Sequence, residues 1–435
     1  MLFRSKPAAA TAAAKPEPVF KSTKILSYFT AFKTDYVVSG LDNSTLFGGI
    51  DPYRGANSTP LNAVPMGLLF KGGVRDLFED YRITGGIRIP LNFRGVEYFV
   101  TYDNLVKRLD KRLSFYHREM KESIGTDANV SHHTNLVEGQ LRYPLDVFTS
   151  IRGLASVRND RFTPLSTDRP LLDIDQYNRQ YVSTRGEFVF DNTSELGLNL
   201  RTGTRYKVWV EALKGFQFEL DESRTKLDFA RGFTSVVGFD FRHYERILRH
   251  SIFAVRAAGA ASFGSERFLY YLGGVDNPVV PSFSSVIPQP TSGNFAYTAF
   301  ATNLRGFETN VRNGSSYALI NAELRIPVWK YFSKVPPRSP FLQNFQLVGF
   351  FDVGSAWLGI SPFSADNPLN TLTVHTTNSA VTVVVNYARD PFVYGYGGGL
   401  RTTLLGYFLR LDIAQGIETG EPQKLLWHFS VGTDF

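Results

Sequence analysis

Residues 317–329 (YALINAELRIPVW) alternate between apolar and polar positions with a period of two. Ala318, Ile320, Ala322, Leu324, Ile326 and Val328 form one set, and Asn321, Glu323 and Arg325 form the other. Successive side chains of an extended chain point to opposite faces, so this pattern predicts a strand with one apolar and one charged face. The same design recurs along the chain. In 81–91, Tyr81, Ile83, Ile87, Ile89 and Leu91 oppose Arg82, Thr84 and Arg88; in 204–213, Tyr206, Val208, Val210 and Ala212 oppose Lys207, Trp209 and Glu211. Further strand patterns cover 36–41 (a short first strand), 66–77, 94–103, 112–120, 132–145, 146–158, 181–190, 226–242 and 247–263. The remaining ones are 345–357, 393–403, 407–417 and 425–435. The count comes to about sixteen, an even number within the range of transmembrane barrels.

The connections carry a second signal. Long ones near 42–65, 121–131, 159–176, 264–315 and 358–392 alternate with short ones near 78–80, 143–146, 243–246 and 404–406. Membrane barrels keep long loops on one side and tight turns on the other, whereas a soluble sandwich has no reason to hold that parity. The prediction is therefore an all-β protein, an antiparallel transmembrane β-barrel over 35–435 with a long loop at 264–315. Residues 1–34 read as a linker: the Ala-rich run near the start is weakly apolar and is broken by Lys15 and Pro16.

Composition narrows the class. Phe (37) and Tyr (21) bring aromatics to 14%, which favours strands and membrane interfaces. No stretch approaches the roughly 20 apolar residues that a transmembrane helix needs, so a bilayer would have to be crossed by a closed sheet. Cysteine is absent, which excludes disulfides and thiolate metal sites. The net charge of +7 comes from basic residues interleaved with acids, a charged lumen rather than a nucleic-acid surface.

Three groups of residues resemble a known family. They are Arg305-Gly306-Phe307 in the long loop, Glu323 in the following strand pattern, and Phe350-x-Asp352-x-Gly354 in the next. Together with the tail from Tyr394 to Phe435, they resemble the BamA/TamA-like bacterial surface-antigen superfamily of outer-membrane assembly and translocation barrels. The match is strongest over about the last 140 residues. The resemblance implies a loop folded back into the lumen, with Arg305 paired to Asp352 and to Glu323. Strand parity independently sets both carboxylates on one inward face, although Arg305 as one more lumen charge stays open. Guanidinium is a rigid fork that stays charged and matches carboxylates, Gly306 permits a sharp turn, and Phe307 can anchor the loop. Such a lock would stiffen the wall opposite the seam. At the end of the chain, Trp427, Phe429, Val431 and Phe435 share one face of a closing strand.

The resemblance further implies the outer membrane of a Gram-negative bacterium, with the lipid bilayer, client outer-membrane or secreted proteins, and periplasmic partners as contacts. Its assembly members carry periplasmic POTRA domains, and too few residues precede the first strand here to hold one. The expected function is insertion or translocation of proteins at the outer membrane, through a weak seam between 36–41 and 425–435. The alternative is a passive barrel, a membrane anchor or pore for a missing amino-terminal domain. A soluble sandwich is the third reading. No catalytic residue, cofactor or metal is expected. The glycines of 395–399 lack the Lys-Ser/Thr of a phosphate loop and read as a strand bend or close approach, and the adjacent His132 and His133 lack spaced partner ligands.

Overall fold

A computed structural model describes residues 30–43, 46, 54–55, 66–124, 128–165, 177–221, 224–287, 290, 294–333, 335–364, 367, 371–375, 382–386 and 389–435. The expected linker at 1–34 lies outside the described residues up to position 29. Much of the expected loops at 42–65, 159–176 and 358–392 lies outside them too.

Among the described residues, sixteen strands follow one another around the wall. They are β1 (Lys33–Asp42), β2 (Gly67–Arg75), β3 (Tyr81–Pro90), β4 (Gly95–Asn104), β5 (Asp110–Ile124), β6 (Ala128–Pro144), β7 (Thr149–Leu165) and β8 (Tyr177–Asp191). The second half comprises β9 (Leu200–Asp221), β10 (Thr234–Ile247), β11 (Ser251–Gly264), β12 (Ser316–Pro327), β13 (Gln346–Trp357), β14 (Val393–Leu404), β15 (Tyr407–Glu418) and β16 (Leu426–Val431). Each pairs antiparallel with the next, from β1 with β2 through to β15 with β16. The meander has the fold of a large barrel wall, and its faces follow the alternation. On β13, Gln346, Val348, Phe350 and Asp352 are buried while Leu347 and Phe351 are exposed. On β9, Val208 and Val210 are exposed while Glu211 is buried. Such an apolar outer band is what a hydrocarbon environment requires.

The inner face is charged and paired. Arg88 lies against Glu97, Arg158 against Asp160 (2.7 Å), Arg185 against Glu187 (2.9 Å), and Asp240 between Arg242 and Arg256. Isolated charges there would bear a desolvation penalty of several kcal/mol, so pairing is what makes an arginine-lined lumen tolerable. The described part of the chain between β11 and β12 packs inside the wall. Glu266–Leu272 pairs in parallel with Asn294–Ala301 and antiparallel with Arg312–Gly314, and Arg54–Gly55 joins the other edge of Asn294–Ala301. Phe268, Tyr270, Tyr297 and Ala299 pack on Tyr181, Leu213 and Val236 of the wall. Burying each large apolar side chain contributes about 1.5–3 kcal/mol, so this loop is a second core rather than a free tether.

Several expected boundaries move. The connection at 121–131 shrinks to residues 125–127, because the polar residues there continue the ladder (Lys121 opposite Ser131, Ser123 opposite Asn129). A strand that is polar on both faces reads as loop when only alternation is scored. The strand expected to reach 329 stops at Pro327, and Val328–Phe332 turns helical, since proline offers no N–H to a ladder. The final strand stops at Val431. Gly432, at φ +109°, bends the chain, and Phe435 turns inward to a cluster with Leu200, Tyr244, Ile252 and Ala254. It therefore does not share the outer face of Trp427 and Phe429, which are 63% and 42% exposed.

The first strand corrects the reading more deeply. It is ten residues long, not short, and it is laddered to β2 over its whole length. Among the described residues no backbone ladder joins β1 to β16. Near its loop end, the N–H of Leu41 donates to the Tyr407 hydroxyl (2.6 Å) at the turn end of β15. On β15, Leu409 is already opposite Val431, the last residue of β16. The first strand is thus staggered past the end of the last one. Val37 and Val38 point to opposite faces yet are 76% and 52% exposed, so this part of β1 has no packed inner side. Where the wall would close, the two strands are offset.

Candidate functional site

Arg305 enters the lumen from the long loop and reaches the inner faces of β12 and β13. Their register sets Asn321 opposite Asp352 and Glu323 opposite Phe350, so three polar groups and one ring face the same point. Arg305 donates Nε to Asp352 Oδ2 and Nη2 to Asp352 Oδ1, both at 2.7 Å, and Nη1 to Glu323 Oε1 at 2.7 Å. Its main-chain N–H adds a fourth bond to Asp352 Oδ2 (3.0 Å). The guanidinium lies over the Phe350 ring, 3.7 Å from its centroid. Arg305, Glu323 and Asp352 are all fully buried. A two-pronged guanidinium–carboxylate contact stacked on an aromatic face uses nearly all that an arginine offers and a lysine does not.

The surroundings hold each partner in place. Asn321 Nδ2 donates to Asp352 Oδ1 (2.8 Å) and to the Asn303 carbonyl (2.6 Å). Glu323 gives its other oxygen to Arg325, at 2.8 Å. Arg325 in turn donates to the main-chain oxygens of Asn199 (3.1 Å) and Phe435 (3.2 Å). The loop arginine and the end of the chain are therefore joined through a single carboxylate. Phe307 is buried among Leu272, Leu304 and Val311 of the loop and Leu319 of β12. Gly354, one turn of the pleat beyond Asp352, lies under Leu272; a β-carbon there would stand 3.3 Å from that side chain.

The sequence reading tied none of three further contributors to the loop. Gly395 on β14 and Gly416 on β15 are cross-strand partners. A β-carbon at Gly395 would stand 1.8 Å from the Arg305 carbonyl oxygen, and one at Gly416 would stand 2.6 Å from the Gly306 oxygen. The two form a notch that accepts the loop backbone. Of the glycines at 395–399, close approach is the role that Gly395 plays. The third is His428 on β16, whose Nε2 accepts the Gly306 N–H at 3.2 Å. The lock is therefore beside the seam, in contact with the last strand, and does not brace the opposite wall. Only a motif linking loop to wall would have revealed these glycines in advance, because the approach is set by tertiary packing.

His132 stacks on Phe162 with centroids 4.3 Å apart, and among the described residues no group of three or more acidic or histidine side chains comes together to hold a metal.

No family model matches the chain, and no curated protein matches it. Solved structures do. BamA from Haemophilus ducreyi lacking POTRA domains 1–3 superposes with a TM-score of 0.52 at 12% identity, over 93% of this chain and 71% of that one. CdiB from Acinetobacter baumannii aligns at 11% identity (TM-score 0.47, 91% of this chain, 65% of that). CdiB from Escherichia coli aligns at 11% identity (TM-score 0.48, 94% and 63%). The chain has the BamA-type barrel fold.

Proposed function

We propose that this chain is an outer-membrane β-barrel of a Gram-negative bacterium that takes part in inserting or translocating proteins at that membrane. The observation that carries the reading is the seam: fifteen consecutive pairings make the wall continuous, and the closing one is missing among the described residues. A sheet edge with unpaired main-chain groups accepts an extended chain through hydrogen bonds that need no particular side chains, which suits clients of varied sequence. The shared BamA-type fold supports the same reading. No bond is made or broken in such a process, so no catalytic residue is invoked. The Arg305 constellation keeps the loop core inside while the seam side moves.

The second reading is a passive barrel that anchors another domain. The plugged lumen favours it over an open pore, because the loop core packs against the wall along both of its faces.

The two separate in one experiment. The purified barrel is placed in lipid vesicles, and the folding of an added, urea-unfolded outer-membrane barrel is followed by heat-modifiable migration. The proposal predicts several-fold faster folding than in empty vesicles. Equal rates would leave the passive anchor.

A further inference from the structure

The edge of β16 that β1 fails to reach is not bare. The Val279 N–H donates to the Phe429 carbonyl (2.8 Å) and the Val431 N–H donates to the Asn277 carbonyl (3.2 Å), with Pro278 paired antiparallel to Ser430. Both β16 groups lie on the side away from β15, where the first strand of a conventionally closed barrel would sit. Three residues of the long loop thus occupy the seam. Their far edge offers no donor at Pro278, which has no N–H, and the Pro278 carbonyl there accepts from Asn43. That side chain, at the end of β1, donates Nδ2 to Asn277 O (3.0 Å) and Pro278 O (2.9 Å). Residues 277–279 therefore touch both lips of the seam.

The same segment is tied to the Arg305 constellation. Asp276 donates its N–H to Asn303 Oδ1 (2.7 Å), and Asp276 O accepts from Arg410 Nη2 (2.5 Å). Gly274 bridges antiparallel to Leu304, the residue before Arg305. Motion of Arg305 away from Asp352 would draw on the strand contact that sets residues 274–279.

We propose that residues 276–279 are a seam latch: they complete the wall in place of the first strand, and their release uncovers the last strand for an extended polypeptide. This rests on the insertion reading above and assigns its regulation. Two main-chain bonds hold the latch to β16, against ladders of eight to sixteen residue pairs along the first wall strands, so it is the part of the wall that opens first. The proline prevents the latch from recruiting a further strand on its own outer edge, while β16 remains a full template once the latch leaves.

The test uses the absence of native cysteine. Partners of this non-hydrogen-bonded antiparallel type have Cα atoms about 4.5 Å apart, within disulfide reach. Pro278→Cys with Ser430→Cys, folded in vesicles as judged by heat-modifiable migration, should cross-link nearly completely under mild oxidation. Ser430→Cys alone should react slowly with a small maleimide, and adding Asn43→Ala should speed that labelling at least fivefold. A folded protein that does not cross-link, or labelling indifferent to Asn43→Ala, would overturn the latch. Neither readout needs a client. Client folding is then compared with the bond closed and reduced: at least tenfold slower folding when closed supports the latch as the gate, and equal nonzero rates overturn that role. Should the reduced protein not assist any client, the insertion reading fails, while the cross-link and labelling results still decide whether the latch exists.

Discussion

Gly395 leaves the space that the carbonyl oxygen of Arg305 occupies: a β-carbon at that position would stand 1.8 Å from it. The clash is with backbone on both sides, so no side-chain rotation relieves it. Gly395→Ala should push the loop off the wall and destabilise the barrel by about 1–3 kcal/mol, the usual range for overpacking. Urea midpoints in detergent micelles would measure this, and Gly398→Ala on the same strand is the control, since its nearest neighbour stands 3.6 Å away.

Asp352 carries both prongs of the Arg305 contact, and Glu323 carries the third while also binding Arg325. Removing one member of a buried pair leaves an uncompensated charge, typically about 3–5 kcal/mol. Asp352→Ala and Arg305→Ala should each fall in that range, and the double variant should cost much less than their sum. An additive double-mutant cycle would show that the two side chains do not act as a unit.

Asp434, just beyond the last strand, gives a pH signature. Burial pushes its pKa up, but the Arg401, Arg410 and Arg325 guanidiniums outweigh burial and hold the carboxyl well below the usual carboxylate range. Arg401 binds it twice, at 2.8 and 3.0 Å. A native pKa lower than the unfolded one means stability that is complete above about pH 4 and is lost as pH falls from there toward the native value. Resistance to urea should therefore be flat from pH 7 to 5 and fall below about pH 4. In Asp434→Asn that acid-side fall should be shallower, with a lower plateau.

Phe435 and Trp427 look equivalent in the alternation, and the structure separates them. Phe435 is buried between Tyr244 and Ile252, and Trp427 is 63% exposed on the outer face. Phe435→Ala should cost about 3 kcal/mol of barrel stability, as other emptied core sites do. Trp427→Ala should shift stability less and act on lipid contact, read as tryptophan quenching by brominated lipids.

The contrast shows what local pattern can carry. Period-two alternation located most of the strands and set Glu323 and Asp352 on one inner face, because side-chain direction in a strand is a local property. Stagger is not local. The offset of β1 past β16 accumulates over fifteen registers, and no stretch of 36–41 or 425–435 records it. Gly432 is read as a small strand residue until its positive φ is known. Close approach was legible for the glycines of 395–399 but not its partner, because the backbone that Gly395 and Gly416 accommodate arrives from some ninety to a hundred and ten residues earlier.

The long loop is locked inside the barrel through Arg305, beside a seam that among the described residues lacks its closing ladder. The most direct measurement is the ion conductance of Arg305→Ala and Arg305→Lys in planar lipid bilayers beside the unaltered protein, with folding verified by heat-modifiable migration. The unaltered barrel should show low, steady conductance, and Arg305→Ala a several-fold larger, fluctuating conductance. Arg305→Lys should remain close to Arg305→Ala, because an ammonium cannot span both prongs of Asp352 and Glu323 together. Unchanged conductance in a folded Arg305→Ala barrel would contradict the lock, leaving Arg305 as one more charge in a lumen that is plugged without it.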